Sequence, residues 1–507
     1  MYDATFSLPG HTMIEHSLSV PLDRFGALSR FAADEAAAIP EKIELFAREY
    51  VRHGNEKLPR LVYFQGGPGF GGPRMAPIGS WLDTALNHYR VVLLDERGTG
   101  RSHPIEAQAV SAVGPAPVQA AFISCFRQDS IAADAEDLRL AFGGEPWAVL
   151  GQSFGGFVVT ACLSQAPQGL SEAFITAGLP SVEGHADDVY RLTYAQTDVR
   201  NREFFARYPG DEPVAWSVAK HLADVEERLP TGERLTPGRF RQIGICLGRS
   251  YGLEQLHFLL EDPFWTVRGA RRLRPQFLDR IGAQVSLAPS PLYGAMHEAI
   301  YAQASTGATA WSADRVRGEF PQFRLPDVAA GAAAESELEA EGRGFRFTGE
   351  HMYPWQMRED PALAPIADAA DALAADPSLR RLYDAEALAA NSSSSRLHDA
   401  EALGADGAAA GRGAAAAGRF ATGHETSSTH NVTVAHRTLT AYNATAAHRV
   451  PAAAWVYKQD MFVPYSISME TARLAGFRTL VSDTLHHDGL HSGGPQMILK
   501  LIEAVRG

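Results

Sequence analysis

A serine between two glycines, where a strand pattern changes into a helix pattern, constrains this chain more than any other feature. Residues 151–155 read Gly-Gln-Ser-Phe-Gly. The apolar run 147–150 before them is typical of a strand, and the run 156–163 after them is typical of a helix. A G-x-S-x-G turn in this context exposes a serine hydroxyl at the edge of a sheet. A Cβ at either flanking glycine would collide with nearby backbone, so the pattern predicts Ser153 as a nucleophile.

Strand and helix patterns alternate along the first third of the chain and predict an α/β fold with a mostly parallel sheet. The continuous apolar runs 61–64 and 91–94 are typical of strands buried on both faces of such a sheet. Period-two alternation over 13–22 and 42–51 predicts an antiparallel hairpin at the start. A further strand pattern covers 173–177. Together these elements predict one sheet flanked by helices.

The middle of the chain, 183–380, has a helical pattern and predicts a large cap inserted into the sheet domain. Strand patterns stop after about residue 183 and return at 453–457 and 477–481. Strands on both sides of a helical block indicate an insertion rather than separate domains in series. We therefore expect the sheet domain in two parts, 1–182 and 450–507.

The segment 381–449 fits neither the sheet domain nor the cap. The octapeptide at 381–388 recurs nearly unchanged at 396–403, and Ala/Gly-rich and then Thr/His/Asn-rich sequence follows. Such sequence buries too little large apolar surface to offset chain entropy, so we expect disorder over much of 392–447. Its histidines are irregularly spaced and do not predict a metal site.

Composition argues against several classes of function. The net charge of −13 over 507 residues opposes non-specific binding of nucleic acid, which needs clustered Lys and Arg. No apolar run approaches the length of a membrane span, and the first residues lack the layout of a signal peptide. Three widely spaced cysteines form no metal or redox pattern. We expect a cytoplasmic protein with no nucleic-acid and no membrane partner.

A serine nucleophile needs a histidine base and a carboxylate that orients it, and both candidates follow the last strand patterns. With a G-x-S-x-G turn, the expected chain order is Ser, acid, His. Asp460 follows the strand pattern 453–457 and is the acid candidate, with a simple turn-forming aspartate as the alternative. Of three histidines after the last strand pattern, we favour His487, which precedes an Asp-Gly turn former, over His491 and then His486.

The oxyanion of a tetrahedral intermediate needs two N–H donors, and the sequence offers a candidate for each. The residue after the nucleophile, Phe154, supplies one amide. We expect the second from the loop 65–69, Gln-Gly-Gly-Pro-Gly, which follows an early strand pattern. Glycine lets backbone approach a substrate closely, and we favour Gly67 over Gly66. The alternative for this loop is an ordinary glycine-rich turn.

Three motifs in this order resemble those of the proline iminopeptidases of the α/β-hydrolase superfamily. They are Gly-Gly-Pro-Gly at 66–69, Asp-Glu-Arg-Gly-Thr-Gly-Arg-Ser at 95–102 and Gly-Gln-Ser-Phe-Gly-Gly at 151–156. The segment 460–464, Asp-Met-Phe-Val-Pro, also looks like the acid segment of that family. The set of motifs is specific, whereas each alone is not. The resemblance implies an α/β-hydrolase fold.

The resemblance covers the two parts of the predicted sheet domain well and the cap only as a helical block. It implies a serine aminopeptidase that removes an N-terminal residue, usually proline, from a peptide and needs no cofactor. In relatives, cap carboxylates bind the free ammonium group, and here Glu298 and Glu350 are candidates because each has an aromatic nearby. A solvated carboxylate is the alternative for each. Gln65 departs from the common His, and Asp488-Gly489 departs from the usual Gly-His-Ser. Neither departure removes the chemistry, and both bear on the substrate preference.

Other functions fit the same residues, and we expect either a peptide or a small-molecule substrate. The fold and a serine triad permit any acyl transfer, so a small-molecule esterase, lactonase or amidase is one alternative. Serine at position 153 disfavours the aspartate-nucleophile relatives such as epoxide hydrolases. A catalytically inactive ligand-binding protein is the alternative from another class, if the insertion at 381–449 has disturbed the acid strand.

Overall fold

The computed structural model describes seven stretches of the chain and places nine strands in one sheet. The described residues are 2–32, 35–36, 38–74, 80–326, 330–376, 379–392 and 449–507. Two further strands among them form a separate hairpin. The strands are β1 (Tyr2–Leu8), β2 (His11–Pro21), β3 (Lys42–Arg52), β4 (Arg60–Phe64), β5 (Arg90–Asp95), β6 (Trp147–Gln152), β7 (Leu170–Thr176), β8 (Phe264–Val267), β9 (Ala270–Leu273), β10 (Ala452–Tyr457) and β11 (Arg478–Ser482).

The large sheet has the strand order β1-β2-β3-β5-β4-β6-β7-β10-β11. The joins from β1 to β5 are antiparallel, and the others are parallel. The predicted antiparallel pairing is confirmed, because β2 and β3 pair from His11 with Arg52 to Pro21 with Lys42. The sequence patterns missed β1, which precedes this pair and forms the first hairpin with β2. The carboxyl ends of the parallel strands therefore meet at one edge of the sheet, which is where ligands bind in such folds.

The central strands are buried on both faces, as their continuous apolar runs predict. On β4, Val62 and Phe64 join the core on one face, and Leu61 and Tyr63 join the core on the other. Successive side chains of a strand point to opposite faces, so an apolar run is stable only when helices cover both. The first core lies under the helices α4 and α5, and the second lies under α1 and α19, whose bounds follow.

Helices cover the sheet and make up most of the cap. Those before the cap are α1 (Trp81–Ala85), α2 (Ala107–Ser111), α3 (Ala116–Ser124), α4 (Gln128–Ala141) and α5 (Phe154–Gln165). Those of the cap are α6 (Ala186–Arg207), α7 (Asp211–Asp224), α8 (Pro237–Arg241), α9 (Gly252–Leu260), α10 (Pro275–Val285), α11 (Pro291–Met296), α12 (Ser312–Arg317), α13 (Gly331–Ala340), α14 (Pro354–Glu359) and α15 (Ala367–Ala374). Those after it are α16 (385–392), α17 (Tyr465–Ala475), α18 (Gly489–Ser492) and α19 (Gln496–Arg506). No helix in these seven stretches is long and apolar enough to cross a membrane.

The cap, 183–380, is inserted between neighbouring strands of one sheet. The strand before it, β7, pairs in parallel with β10, which follows it in the chain by more than 270 residues. The helical pattern of the cap missed one element, the hairpin of β8 and β9, which pair only with each other. The two residues of its turn, Arg268 and Gly269, both have positive φ, a geometry that suits the twist of a two-residue hairpin. The domain boundaries at 182 and 380 stay predictions.

The motif at 95–102 forms the end of β5 and the loop after it, and its side chains hydrogen-bond to α4 and to the end of the strand. The guanidinium of Arg97 is buried and donates to both carboxylate oxygens of Asp134, at 2.6 and 2.7 Å. The hydroxyl of Ser102 donates to the carbonyl oxygen of Asp95 at 2.6 Å. These bonds satisfy buried polar groups, so the motif stabilises the strand end without contributing a side chain to the cavity described below.

The first copy of the duplicated octapeptide packs against the sheet domain. Its Tyr383 is buried, and the Tyr383 hydroxyl lies 3.0 Å from Nε2 of Gln128. Further on, the side chain of Asn391 bridges two strand-flanking segments: its amide donates to Ala475 O at 2.9 Å, and its Oδ1 accepts from Val450 N at 2.8 Å. Residues 391 and 450 are therefore neighbours. The predicted disorder over 392–447 lies, apart from the first residue, outside the described residues.

Candidate active site

Ser153 is the single residue between the end of β6 and the start of α5. Its φ of 56° and ψ of −124° lie in a region that non-glycine residues rarely adopt, at a cost on the order of 1–3 kcal/mol. The Ser153 N–H donates to Thr176 O at 3.0 Å and fixes the turn against β7. This strained conformation directs the hydroxyl away from the strand and toward the edge of the sheet.

The glycines around Ser153 are required by close backbone approaches. A Cβ on Gly151 would lie 2.1 Å from Gly155 O, and a Cβ on Gly155 would lie 2.1 Å from Phe64 O. A Cβ on Gly156 would lie 2.4 Å from Gly178 O. Real Cβ atoms are not found this close to backbone atoms, so the prediction that the turn needs glycine at both flanks is confirmed.

Ser153, His487 and Asp460 form a continuous hydrogen-bonded chain. Nε2 of His487 lies 2.8 Å from Oγ of Ser153, and Nδ1 lies 2.9 Å from Oδ2 and 3.0 Å from Oδ1 of Asp460. Oδ1 of Asp460 also accepts the backbone N–H groups of Phe462 and Val463, at 2.9 and 3.0 Å. Because all three side chains are buried, these bonds hold one geometry with little competition from water.

The electrostatic environment of His487 favours its charged form. Burial alone opposes protonation, but the neighbouring Asp460 carboxylate outweighs it, and the pKa of His487 is raised above its ordinary value. The same carboxylate accepts from Nδ1, which leaves Nε2 of the neutral ring free to accept the Ser153 proton. The imidazolium formed by that transfer is stabilised by Asp460.

The other two histidines of this loop have different surroundings. Nδ1 of His486 is buried with no partner among the described residues, and burial lowers the pKa of His486. His491 lies on α18 and lines the cavity, and burial lowers its pKa as well. Within the described part of the chain, His487 is the histidine whose ring joins Ser153 to a carboxylate.

Of the two predicted oxyanion donors, Phe154 follows Ser153 in the chain, and Gly67 lines the same cavity as Ser153. Phe154 is the first residue of α5, where a backbone N–H has no partner within the helix. Across from it, a Cβ on Gly66 would lie 3.0 Å from Cβ of Ser153, so the glycine loop packs directly on the turn. Gly67 has a φ of 143°, which glycine adopts readily. Neither the Gly67 nor the Phe154 N–H donates to another described residue.

A cavity of about 800 Å³ opens above Ser153 and His487, between the sheet edge and the cap. Glu350 of the cap lines it, and the hydroxyl of Tyr293 donates a hydrogen bond to Oε1 of Glu350. Burial and the Glu350 charge raise the pKa of Tyr293, so its hydroxyl stays protonated as a donor. The ring of Tyr293 packs on that of Phe70, which directly follows the glycine loop, with 5.4 Å between the ring centroids. The cavity therefore combines a carboxylate with aromatic walls.

The second predicted cap carboxylate, Glu298, lies elsewhere. It is buried, and its two oxygens accept the backbone N–H groups of Ser312 and Ala313 at 3.0 and 2.8 Å, where α12 begins. Burial raises the pKa of Glu298 to about 7, and these amides oppose the shift. Glu298 is absent from the residues that line the cavity. The structure therefore places Glu350, and not Glu298, on the cavity that Ser153 lines.

Two neighbours of the triad carried no signal of their own in the sequence. Nε2 of Gln152, the variable position of G-x-S-x-G, donates to His487 O at 3.3 Å. The ring of Phe462 meets the His487 ring edge to face at 4.7 Å. Their positions inside predicted motifs placed them near the site, but nothing local indicated which group each would contact.

The arrangement suits nucleophilic attack by a serine hydroxyl. A neutral imidazole can accept the hydroxyl proton, and a buried carboxylate can stabilise the resulting imidazolium. The Gly67 and Phe154 N–H groups, which have no acceptor among the described residues, are available as oxyanion donors. Among the described residues, no group of three or more His, Cys, Asp and Glu side chains could hold a metal ion.

The chain is similar to known proteins over almost its whole length. A family model described as the alpha/beta hydrolase fold matches residues 59–242. A proline iminopeptidase of Aeromonas sobria is 35% identical over 495 residues, which cover 97% of this chain and 96% of that protein. A proline iminopeptidase of Aspergillus aculeatus is 30% identical over 353 residues, which cover 68% of this chain and 75% of that protein.

The solved structure of a hydrolase from Pseudomonas aeruginosa PA01 is similar over 93% of this chain and 97% of the chain of that hydrolase. Its identity of 12% and TM-score of 0.34 are too low to bear on function. The similarity to the two iminopeptidases is a matter of sequence along the chain, and the first of them spans both the sheet domain and the cap.

Proposed function

This chain is a serine hydrolase of the α/β-hydrolase fold and belongs to the proline iminopeptidase family, and we propose that it releases N-terminal proline from peptides through an acyl-enzyme on Ser153. The proposal depends on one observation: the ring of His487 lies within hydrogen-bond distance of both Ser153 and Asp460. The role of each side chain follows from that geometry.

In the acylation step, the Ser153 hydroxyl attacks the carbonyl carbon of the N-terminal proline. His487 Nε2 takes the hydroxyl proton, and Asp460 stabilises the imidazolium. The oxyanion accepts hydrogen bonds from the Gly67 and Phe154 N–H groups. Collapse of the tetrahedral intermediate breaks the C–N bond, and His487 gives its proton to the leaving amine, which departs as a peptide shortened by one residue.

In the deacylation step, water attacks the prolyl ester of Ser153. His487 again takes the proton, now from water, and the same two amides bind the second oxyanion. The ester bond breaks, the proton returns to Oγ of Ser153, and proline leaves. The cycle consumes one water and needs no electron transfer.

We assign recognition of the substrate amine to Glu350. Its carboxylate lines the cavity that holds Ser153 and is oriented by the Tyr293 hydroxyl. A protonated N-terminal amine would form a charge-assisted hydrogen bond there, which is stronger than one between neutral groups. Both oxygens of Glu298 are already occupied by backbone amides, so we do not assign it this role.

A paired substrate assay tests the proposal. We expect the enzyme to hydrolyse prolyl-2-naphthylamide with a far higher kcat/KM than p-nitrophenyl butyrate, and to leave N-acetyl-prolyl-2-naphthylamide intact because its amine carries no charge. Ser153→Ala provides the blank, and Ser466→Ala, which changes an exposed serine on α17, provides the matched control.

The outcomes separate the competing functions. Good turnover of the ester with none of the prolyl substrate would replace the aminopeptidase by a small-molecule esterase or amidase. Turnover of neither, together with no labelling of Ser153 by a fluorophosphonate probe, would indicate a ligand-binding protein. Equal rates on the free and acetylated prolyl substrates would contradict the role of Glu350.

A cytoplasmic location is also part of the proposal. The three cysteines are free and buried, which agrees with a reducing compartment. Cell fractionation tests it, and recovery of the protein from the culture medium would contradict it.

A further inference from the structure

The loop that carries His487, residues 483–488, is hydrogen-bonded to the cap segment 248–250. We call this stretch the histidine loop; it lies between the end of β11 and the start of α18. The backbone N–H of His487 donates to Gly248 O at 3.2 Å, and Gly248 lies in the cap just before α9. A Cβ on Gly248 would lie 2.2 Å from the ring of Phe462, so only glycine allows this approach.

Asp488, the neighbour of His487, makes shorter hydrogen bonds to the cap than His487 does. Its Oδ1 accepts the backbone N–H of Ser250 at 2.9 Å and the Ser250 hydroxyl at 2.6 Å. The Ser492 hydroxyl oxygen lies 2.8 Å from the Ser250 hydroxyl oxygen and extends the contact to α18. A side chain that accepts two bonds from one residue fixes both distance and direction between the two segments.

The remaining contacts of His487 do not restrain the loop from the same side. Gln152 donates to the His487 carbonyl at 3.3 Å from the end of β6, and Asp460 and Phe462 contact the His487 ring. The cap-facing side of the loop is held by Gly248 and Ser250. Loss of the Asp488 contact would leave the His487 N–H bond to Gly248 O, at 3.2 Å, to hold the cap-facing side of the loop. The loop could then shift and move Nε2 out of line with Oγ of Ser153.

We propose that Asp488 is a positioning residue for the base: by binding Ser250 of the cap, it keeps Nε2 of His487 aligned with Oγ of Ser153. The inference rests on the proposed function, in which His487 is the base. Its action depends on the hydrogen-bond acceptor at Oδ1 and not on the negative charge. It also makes the cap a support for the catalytic machinery in addition to a wall of the cavity.

Two substitutions of Asp488 distinguish a positioning role from an electrostatic one. Asp488→Ala removes the hydrogen-bond acceptor, whereas Asp488→Asn removes only the negative charge. We expect Asp488→Ala to lower both kcat and the second-order rate of Ser153 labelling by a fluorophosphonate about tenfold, because small misplacements of a base are costly, with KM little changed. Asp488→Asn keeps an oxygen that can accept both Ser250 bonds, so it should retain most of both rates. Asp483→Ala, an exposed aspartate of the same loop, is the matched control.

Ser250→Ala provides a second variant that leaves the histidine loop unmutated. It removes the hydroxyl bond but keeps the backbone bond, so we expect a smaller loss of labelling than in Asp488→Ala. The double variant Ser250→Ala/Asp488→Ala should be no slower than Asp488→Ala alone, because both changes break one contact.

Several results would overturn the inference. If Asp488→Asn lowers kcat and the rate of Ser153 labelling as much as Asp488→Ala does, the negative charge matters and not the acceptor. If Asp488→Ala keeps both wild-type rates, the contact with Ser250 does not position the base. A lower melting temperature with unchanged kcat and labelling would indicate a purely structural role. His487→Ala is run in parallel: if it leaves labelling intact, the proposed base itself is wrong, whereas a loss there with no loss in Asp488→Ala contradicts only this inference.

Discussion

The edge of the sheet and the cap contribute to one cavity by different means. On the sheet side, Ser153, Asp460 and His487 each lie within five residues of the end of a parallel strand. On the cap side, Glu350 and Ser250 lie in irregular segments between cap elements and are far along the chain from any strand of the large sheet. The sheet thus brings reacting groups together through its topology, whereas the cap brings groups to the cavity only through its packing. In our proposal, the first set performs the chemistry, and the second selects the substrate and steadies the base.

Removing the nucleophile should have the largest effect and tests the sheet side of this comparison. We expect Ser153→Ala to lower kcat about 10⁶-fold, because loss of one member of a catalytic triad removes nearly all that the triad supplies. The fold should persist, since the Ser153 side chain bonds only to His487 among the described residues. Steady-state kinetics on prolyl-2-naphthylamide measure the loss, and thermal unfolding checks the fold. More than one-hundredth of wild-type activity would show that Ser153 is not the nucleophile.

The two cap glutamates should respond in different ways, which tests the cap side. We expect Glu350→Gln to raise KM for prolyl-2-naphthylamide about 10- to 100-fold, since a hydrogen bond to a charged group is worth about 1.5–3 kcal/mol. Glu298→Gln should leave KM unchanged and lower the free energy of unfolding by about 1 kcal/mol, because it weakens a helix cap. Kinetics and urea unfolding of both variants measure these values. The reverse pattern would assign the amine site to Glu298.

The pH dependence of kcat/KM should report the pKa of His487 and show how much Asp460 raises it. The base must be neutral, so activity falls as pH decreases through its pKa; because that pKa is raised, the acid limb of kcat/KM should lie above about pH 6.5. Asp460→Asn removes the largest charge that raises the pKa of His487, while burial still lowers it and the smaller contributions of Glu350 and Asp488 remain. The acid limb should therefore move to lower pH. Profiles of kcat/KM between pH 5 and 8 measure the acid limb in the wild type and in Asp460→Asn. An acid limb that does not move in Asp460→Asn would contradict this account.

The smallest effect should come from removing the segment that belongs to neither region. Residues 391 and 450 are joined by a hydrogen bond between the Asn391 side chain and the Val450 backbone. A short Gly-Ser linker in place of 393–448 should therefore leave kcat/KM and the melting temperature unchanged, because it connects points that are already neighbours. Kinetics and thermal unfolding of the deletion variant check this. An insoluble or inactive product would show that the segment supports the fold.

The sequence predicted more of the sheet and its candidate site than of the cap. Period-two and continuous apolar patterns predicted the hairpin of β2 and β3 and the buried strands, and pairing in the structure confirms them. Chain order after the strands singled out Asp460 and His487, whose side chains lie within 3 Å of one another. In the cap, the same reasoning named Glu298 and Glu350 alike, since each is a carboxylate near an aromatic, and it missed the hairpin of β8 and β9. A helical pattern indicates which residues share a face but not which face meets the cavity.

The sequence by itself determined the fold class, the strained turn at Ser153 with its glycines, and a short set of acid and base candidates. These depend on local periodicity and on the rule that parallel strands end at one edge, both of which can be seen in the order of residues. Only the tertiary structure decided that His487 rather than His491 meets Ser153, that Glu350 lines the cavity while Glu298 caps α12, and that Asp488 reaches Ser250 across 238 residues of chain. Those contacts depend on how the cap packs on the sheet, and no short stretch of sequence contains that information.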